Sequence, residues 1–549
     1  MMKDVIDTVQ DRVHPAAEIY LRDHTAGKLS RREFLTRTTA LGVAATAAYG
    51  MLGLVAPEAR AEDMTPVMGG TLKMQMSIKA QRDPRTWDWS ELANACRGWL
   101  EYLVDYQRDG SLTPVLLESW EASEDAKVYT LHVRQGVTWN NGDAFTAQDV
   151  AHNITRWCDA SVEGNSMASR MGSLMENDAA REGAIEVVDD HTVRLNLSAP
   201  DIALIVSMAD YPAAIMHPSF NGDDPVAEPI GTGPYRPVSY EPGIGAVVER
   251  NTDHTWWNAG NGAWLDRIEF VDLGTDPAAW VAAAEAGEID LNYQAQGDII
   301  DIFDSIGMPR SEAVTAATIA VRFNQDSEPY NNVAVRRGLQ KAVNNAVVLE
   351  LGYNDLGTVA ENHHVCPIHP EYAQLPPLVV DGAAARAEIE AAGFGDYEFE
   401  LISIDEPWQA ETCDAVAAQI RDAGINIKRT ILPGATFWND WTKYPFSATE
   451  WNMRPLGVQV LNLAYRSGVP WNETAFANAE FDALLDQANG IADADARREV
   501  MRQIEEIMQN EGVLIQPYWR SIFRNAAENV HGAEMHPTFV VDYVNYWKS

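Results

Sequence analysis

Residues 114–150, PVLLESWEASEDAKVYTLHVRQGVTWNNGDAFTAQDV, constrain the fold more than any other stretch of this chain. Two runs with the period-2 alternation of strands flank a polar turn, Asn140-Asn141-Gly142-Asp143 makes a tight turn, and Thr146 is placed to cap a helix starting near Ala147. Upstream, GGTLKMQMSI alternates Leu72, Met74, Met76 and Ile78 and reads as a half-buried strand. The segment QRDPRTWDWS then turns into a helix expected from about Glu91 to Val104. Strands and helices mixed in this way predict an α/β fold. At 549 residues the chain is too long for one core, and two to four domains are expected.

The charge excludes whole classes of partner. A formal net charge of −39 repels nucleic acid and anionic membrane surfaces, so what binds is small or is recognised locally. With 46% hydrophobic residues, 17 Trp and 22% charged residues, the chain has a globular composition throughout.

The first sixty residues differ in kind. Ser30-Arg31-Arg32-Glu33-Phe34-Leu35 precedes the weakly apolar stretch Thr38 to Ala56, and Ala59-Arg60-Ala61 offers a small-x-small cleavage site. This order predicts a twin-arginine signal peptide over residues 1–61, with the mature chain beginning near Glu62 in the periplasm. The competing reading is an N-terminal membrane anchor, because the stretch is just long enough to span a bilayer. Its Thr, Gly and Ala stand where a stable span has Leu, Ile and Phe. No later segment carries an uncharged apolar run of spanning length.

Further motifs follow in a fixed order. Gly231-Thr232-Gly233-Pro234-Tyr235 makes a glycine-rich turn into a strand; then come ERNTDHTWWN, AAEAGEIDL and IAVRFNQDSEPYNNVAVRRGLQKAVNN. Together with residues 114–150, these five collinear pieces resemble the extracytoplasmic solute-binding proteins of ABC importers in the peptide, opine and nickel class, over about Gly69 to Pro517. The resemblance implies a periplasmic-binding-protein fold with two hinged lobes around a cleft and a small inserted domain. It implies a discontinuous domain I (residues 62–93, 229–318 and 518–549), an inserted domain II (94–228) and a domain III (319–517). Closure around the solute is then a hinge motion. A monomer is expected, delivering its solute to membrane permease subunits served by a separate ATPase chain.

No constellation for an enzyme is present: the sequence has no G-x-S-x-G, H-E-x-x-H or P-loop, and no G-x-G-x-x-G after a strand. No cofactor motif follows the twin-arginine segment, so no cofactor is expected. The cluster AENHHVCPIHPEY places His363, His364, Cys366 and His369 within seven residues, ligand types suited to zinc, copper or nickel. Its proline-punctuated loop lacks the spacing of structural sites, so contact of His363 or His364 with a solute is an open alternative to metal binding and to an ordinary loop. The cysteines, Cys96, Cys158, Cys366 and Cys413, are widely spaced without a CxxC, and their pairing is left open.

Solute pockets are apolar with a few polar anchors. The resemblance places Trp87, Trp89 and Trp451 as cleft walls, with Asn324, His363, His364 and Glu450 beside them. In peptide-binding members the late motif resembles Trp-x-x-Asp-Tyr-x-x-Pro, whose Asp takes the peptide ammonium; here Trp451-Asn452-Met453-Arg454 carries the opposite charge. A desolvated Arg454 favours a carboxylate or phosphate. Alternatively, it pairs with a neighbouring acid such as Glu450. The expected function is capture of a peptide-like or amino-acid-derived solute with an anionic group at Arg454. The alternatives are a nickel or metal-chelate binder and, in another class, an exported cofactor enzyme.

Overall fold

The computed structural model describes residues 14–54, 65–369, 371–491 and 494–549. The cleavage site at Ala61 and the start at Glu62 lie outside the described residues.

Three sheets organise the chain. The first has five strands in the spatial order Tyr235–Glu241, Gly245–Arg250, Arg267–Val271, Thr71–Gln75 and Leu291–Asn292. Its centre is parallel, with Leu72 opposite Ile268 and Met74 opposite both Phe270 and Leu291. Parallel strands need a long crossover, and here the connection holds the whole second body. The strand Thr71–Gln75 is more enclosed than its alternation suggests: Leu72, Met74 and Met76 are buried, and Gln75 on the other face is only 3% exposed. Central parallel strands are covered on both faces.

The second sheet is antiparallel, in the order Leu117–Ala122, Val128–Val133, Thr192–Asn196, Ile185–Asp189. Thr146 caps the helix Ala147–Trp157 as the sequence predicts, with Asp149 returning a bond to the Thr146 N–H at 2.7 Å. Val150, Ile154 and Trp157, spaced four and three apart, are its buried stripe.

The preceding helix is shorter than predicted, ending at Cys96, and Val104–Tyr106 is instead a strand paired with Leu112–Pro114. Just past its end, Gly98 sits where no side chain fits. A Cβ there would lie 2.8 Å from Tyr235 Cβ and 2.8 Å from Tyr543 Cε2, and the turn Gly231-Thr232-Gly233 packs onto the same residues.

The third sheet has seven strands. Six lie in the order Gly357–Val359, Tyr518–Asn525, Arg310–Phe323, Phe446–Trp451, Phe399–Ile404 and Ile427–Leu432, while Leu514–Ile515 adds to Arg310–Phe323. The two long strands Arg310–Phe323 and Tyr518–Asn525 also touch the first body: Phe523 and Ala526, at the end of the second, bridge to Ala295 and Leu291, and the Arg310 N–H donates to Asp304 Oδ1 at 2.8 Å. They are the crossover between the two. A bulge between Val314 and Ala317 marks the crossing, where the Thr315 hydroxyl donates to the Arg520 carbonyl at 2.7 Å.

Three short helices, Pro15–Thr25, Arg31–Ala40 and Ala45–Met51, precede these bodies. A turn splits the weakly apolar stretch, and no helix among the described residues is long and apolar enough to cross a membrane.

A Cβ on Gly231 would fall on the Trp99 carbonyl. Gly231→Ala is therefore expected to cost about 3 kcal/mol of stability, read as a lower urea midpoint.

Candidate ligand cleft

The cleft is built outward from a buried charge. Arg322, fully enclosed on its crossover strand, donates from Nε to Glu473 Oε2 at 2.8 Å and from its other nitrogens to the carbonyls of Tyr444 and Trp441. Glu473 also accepts from Thr449 Oγ1 and from Trp451 Nε1, each at 2.7 Å. One ion pair thus fixes the Trp451 indole and the backbone that carries Trp441. Register does the rest: Thr318 pairs with Trp451 on one side and Trp519 on the other, so Trp451 ends its strand at the crossover.

The facing wall comes from the loop before the helix Ser90–Cys96. Trp89 lies against Trp438, with ring centroids 4.0 Å apart, and against Trp441 at 6.0 Å. The second body supplies Tyr211, which stacks on Trp471 at 6.1 Å and donates its hydroxyl to the Asp88 carbonyl at 2.8 Å. Asn452 reaches back to Ser90 Oγ at 3.1 Å. These side chains enclose a cavity of about 20 Å³ lined by Asp88, Trp89, Tyr211, Glu450, Trp451 and Arg454, among others. It shares Asp88, Trp441 and Trp471 with an open groove of about 1080 Å³.

Arg454 is 4% exposed. Its Nε stands 3.0 Å from Asp210 Oδ2, an ion pair without hydrogen-bond alignment, and its Nη1 donates to the Asn452 carbonyl at 3.0 Å. The guanidinium lies over Tyr211 and Trp471, 5.4 and 5.7 Å from the ring centroids. Asp210 is shared: Arg170 Nη2 donates to the same Oδ2 at 2.6 Å. Burial pushes the Asp210 carboxyl up, but the Arg454 and Arg170 charges overcome it and hold the group below its ordinary range. Two cations against one carboxylate leave one positive charge beside the cavity.

Two acids, Glu450 and Asp88, also line the cavity. Glu450 accepts from Arg520 Nη1 at 2.8 Å, and Arg520 lies over the Trp408 ring at 3.9 Å. Burial, followed by the charge of Glu450, pushes the Glu406 carboxyl up to about 7. Asp88 pairs with Arg82 at the groove.

Of the residues expected from sequence, Trp89, Glu450, Trp451 and Arg454 come together around the cavity. Trp87 is buried and donates to the Arg82 carbonyl at 3.0 Å, bracing the loop from inside. Asn324 bonds the Thr442 carbonyl at 3.4 Å and the Asp326 N–H at 3.0 Å. His364 shares a hydrogen bond with the Tyr465 hydroxyl at 2.7 Å and stands edge-on to Trp451, one layer behind the wall. Burial holds its imidazole far below the ordinary value, hence neutral. His363 faces Glu361 at 3.4 Å and Glu505 at 3.8 Å. His369 bonds the Arg454 carbonyl at 3.0 Å. The acid beside Arg454 is Asp210, while Glu450 is taken by Arg520. Sequence reasoning missed Asp88, Tyr211, Trp471 and the Arg170–Asp210 pair; only Asp88, lying between two chosen tryptophans, had a local signal. No three His, Cys, Asp or Glu side chains group as metal ligands among the described residues, and the four cysteines are separate buried thiols.

Two α/β bodies joined by crossover strands, with an aromatic cleft beside them and a third body inserted, define a periplasmic binding protein. The family model of bacterial extracellular solute-binding proteins, family 5 middle region, matches residues 111–471, and the chain belongs to that family. The dipeptide-binding protein DppE of Bacillus subtilis is 22% identical over 564 residues, covering 91% of this chain and 97% of that protein. Among solved structures, AgaA of A. tumefaciens R10 in complex with agropinic acid superposes with a TM-score of 0.77 at 22% identity, covering 87% of this chain and 99% of that one. Haemophilus influenzae OppA in complex with RPPGFSPFR gives a TM-score of 0.78 at 18% identity, over 88% and 100%.

Asp210→Asn strands two buried guanidinium groups and is expected to cost about 3–5 kcal/mol at pH 7. The sign of the pH dependence follows from its lowered carboxyl. Its contribution is complete above the unfolded carboxylate value of about 4 and is lost as pH falls through the lower folded value. Urea melts between pH 7 and 3 check both: the gap between wild type and variant narrows only at the acid end.

Proposed function

We propose that this protein captures a peptide-like or amino-acid-derived solute carrying an anionic group directed at Arg454, and delivers it to an ABC permease. The observation that carries this reading is the surplus cation: Arg170 and Arg454 share the single carboxylate of Asp210 at the wall of the cavity. A desolvated guanidinium with one carboxylate between two cations gains from a second anion. Glu450 and Asp88, which also line the cavity, suit the amine or amide groups of the same solute. The ligands of similar proteins, a dipeptide for DppE and agropinic acid for AgaA, fall in this chemical range.

The cycle in this proposal has no chemical step. In this proposal the chain divides into domain I (62–93, 229–318, 518–549), domain II (94–228) and domain III (319–517), and domain III closes on domain I like a hinged jaw. Export follows the twin-arginine route, with the periplasm as the working compartment and a monomer as the working form. The transmembrane and ATPase subunits are separate chains.

Thermal melting against a panel of free-amine dipeptides, N-acylated peptides, γ-linked peptides, opines and nickel chelates tests the reading. A solute at a hundred times its Kd adds about 2.7 kcal/mol of stability. Anionic or N-blocked solutes are expected to raise the Tm of the wild type and to lose most of that shift in Arg454→Gln, which leaves the Arg170–Asp210 pair intact. Equal shifts by free-amine dipeptides in both proteins would make Arg454 purely structural.

A further inference from the structure

A leader that is to be discarded needs no complementarity to the protein it leads. Residues 14–54 have it in detail. The helix Arg31–Ala40 is closed at its start by a capping box, Ser30 N–H donating to Glu33 Oε2 at 2.6 Å and Glu33 N–H to Ser30 Oγ at 3.3 Å. Every residue from Glu33 to Ala40 is buried. A helix enclosed on all sides must find partners for its polar groups.

Partners for several of them lie on two bodies, while Arg37 Nε and Nη1 and Thr38 Oγ1 have no hydrogen-bond partner among the described residues. On the side of the third, Arg37 Nη2 donates to Glu371 Oε2 at 3.2 Å, with the two side chains 1% and 0% exposed. Glu371 also accepts from the Val458 N–H at 3.2 Å and faces Arg497 as a second cation. On the side of the second, the Leu112 N–H donates to Thr39 Oγ1 at 2.9 Å, Trp120 Nε1 to the Ala40 carbonyl at 3.1 Å, and the Thr36 hydroxyl to the Gly110 carbonyl. The twin arginines are engaged too. Arg31 Nη2 donates to the Tyr49 hydroxyl at 3.1 Å, which donates to Asp109 at 2.5 Å, and Arg32 Nη2 donates to the Arg108 carbonyl at 2.9 Å. Glycines shape the seat: a Cβ on Gly110 would strike Arg32, and one on Gly42, at φ +88°, would strike the Trp120 carbonyl.

We propose that residues 14–54 are a docked strap spanning the second and third bodies, which holds the twin-arginine pair against the folded protein. The strap joins bodies whose relative motion opens the cleft, and a receptor for Arg31-Arg32 meets them free only after the strap has lifted. The docking rests on packing alone and is independent of the solute, while the hinge motion and the export route are those proposed above.

Hydrogen–deuterium exchange on the full chain, resolved by peptide, tests it. Amides 31–40 are expected to be strongly protected in the wild type. In Arg37→Gln, which leaves Glu371 buried without this partner, their exchange should accelerate about a hundredfold or more while peptides of the five-stranded sheet are unchanged. Should Arg37→Gln loosen the sheets as well, Trp120→Phe removes one hydrogen bond to the strap and should speed exchange of 31–40 by about 2–10-fold. Free exchange of 31–40 in the wild type, or protection insensitive to both substitutions, overturns the proposal. Export of an Arg31-Arg32→Lys-Lys variant reads the route separately, so the strap and the route fail or stand independently.

Discussion

The cleft depends on a carboxylate shared between two guanidinium groups. Asp210 and Arg170 belong to the second body and Arg454 to the third, so the Arg170–Asp210–Arg454 triad joins two parts of the molecule that are more than 240 residues apart in sequence. Buried ion pairs are strong against loss of one member yet nearly neutral against separation into water. A joint of this kind holds register without locking. It also sets the sign of the cleft, because it leaves one cation uncompensated where Tyr211 and Trp471 exclude water.

A second charge performs the corresponding task within the third body. The Arg322–Glu473 pair orients Trp451 through its indole N–H and ties down the backbone that carries Trp441. Arg322 lies on the crossover strand Arg310–Phe323, which carries the bulge at Val314–Ala317 and runs from the first body into the third. Rigid aromatic walls at the end of the crossover, faced by Trp89 and Tyr211 from the other side, are the geometry a hinge-closing binder requires.

Local structure was legible wherever it is governed by neighbours in sequence. The alternation of Tyr129, Leu131 and Val133 and the Thr146 cap follow from short-range chemistry and appear as predicted, and Asp149 completes the cap as a box. The helix after Trp89 was drawn too long because Val104–Tyr106 is claimed by a strand pairing with Leu112–Pro114, and Gly98 lies under Tyr235 and Tyr543, rings from remote segments. The cleft was half legible. Trp89, Glu450, Trp451 and Arg454 were reachable through the family pattern, but the partner of Arg454 was not, since MADYPAA around Asp210 carries no local mark of a buried pair. The N-terminal helices show the same limit: a segment whose composition reads as a leader is fitted to both bodies by contacts that no periodicity reveals.

The central claim is that Asp210 and Arg454 act as a coupled pair across the cleft. A double-mutant cycle of Asp210→Asn and Arg454→Gln, read by urea unfolding at pH 7, measures it most directly. The account predicts a coupling energy above about 1.5 kcal/mol, with the double variant more stable than the sum of the single losses implies. Additivity to within about 0.5 kcal/mol would contradict it, making Arg454 independent of the carboxylate that is held here to set its position and charge.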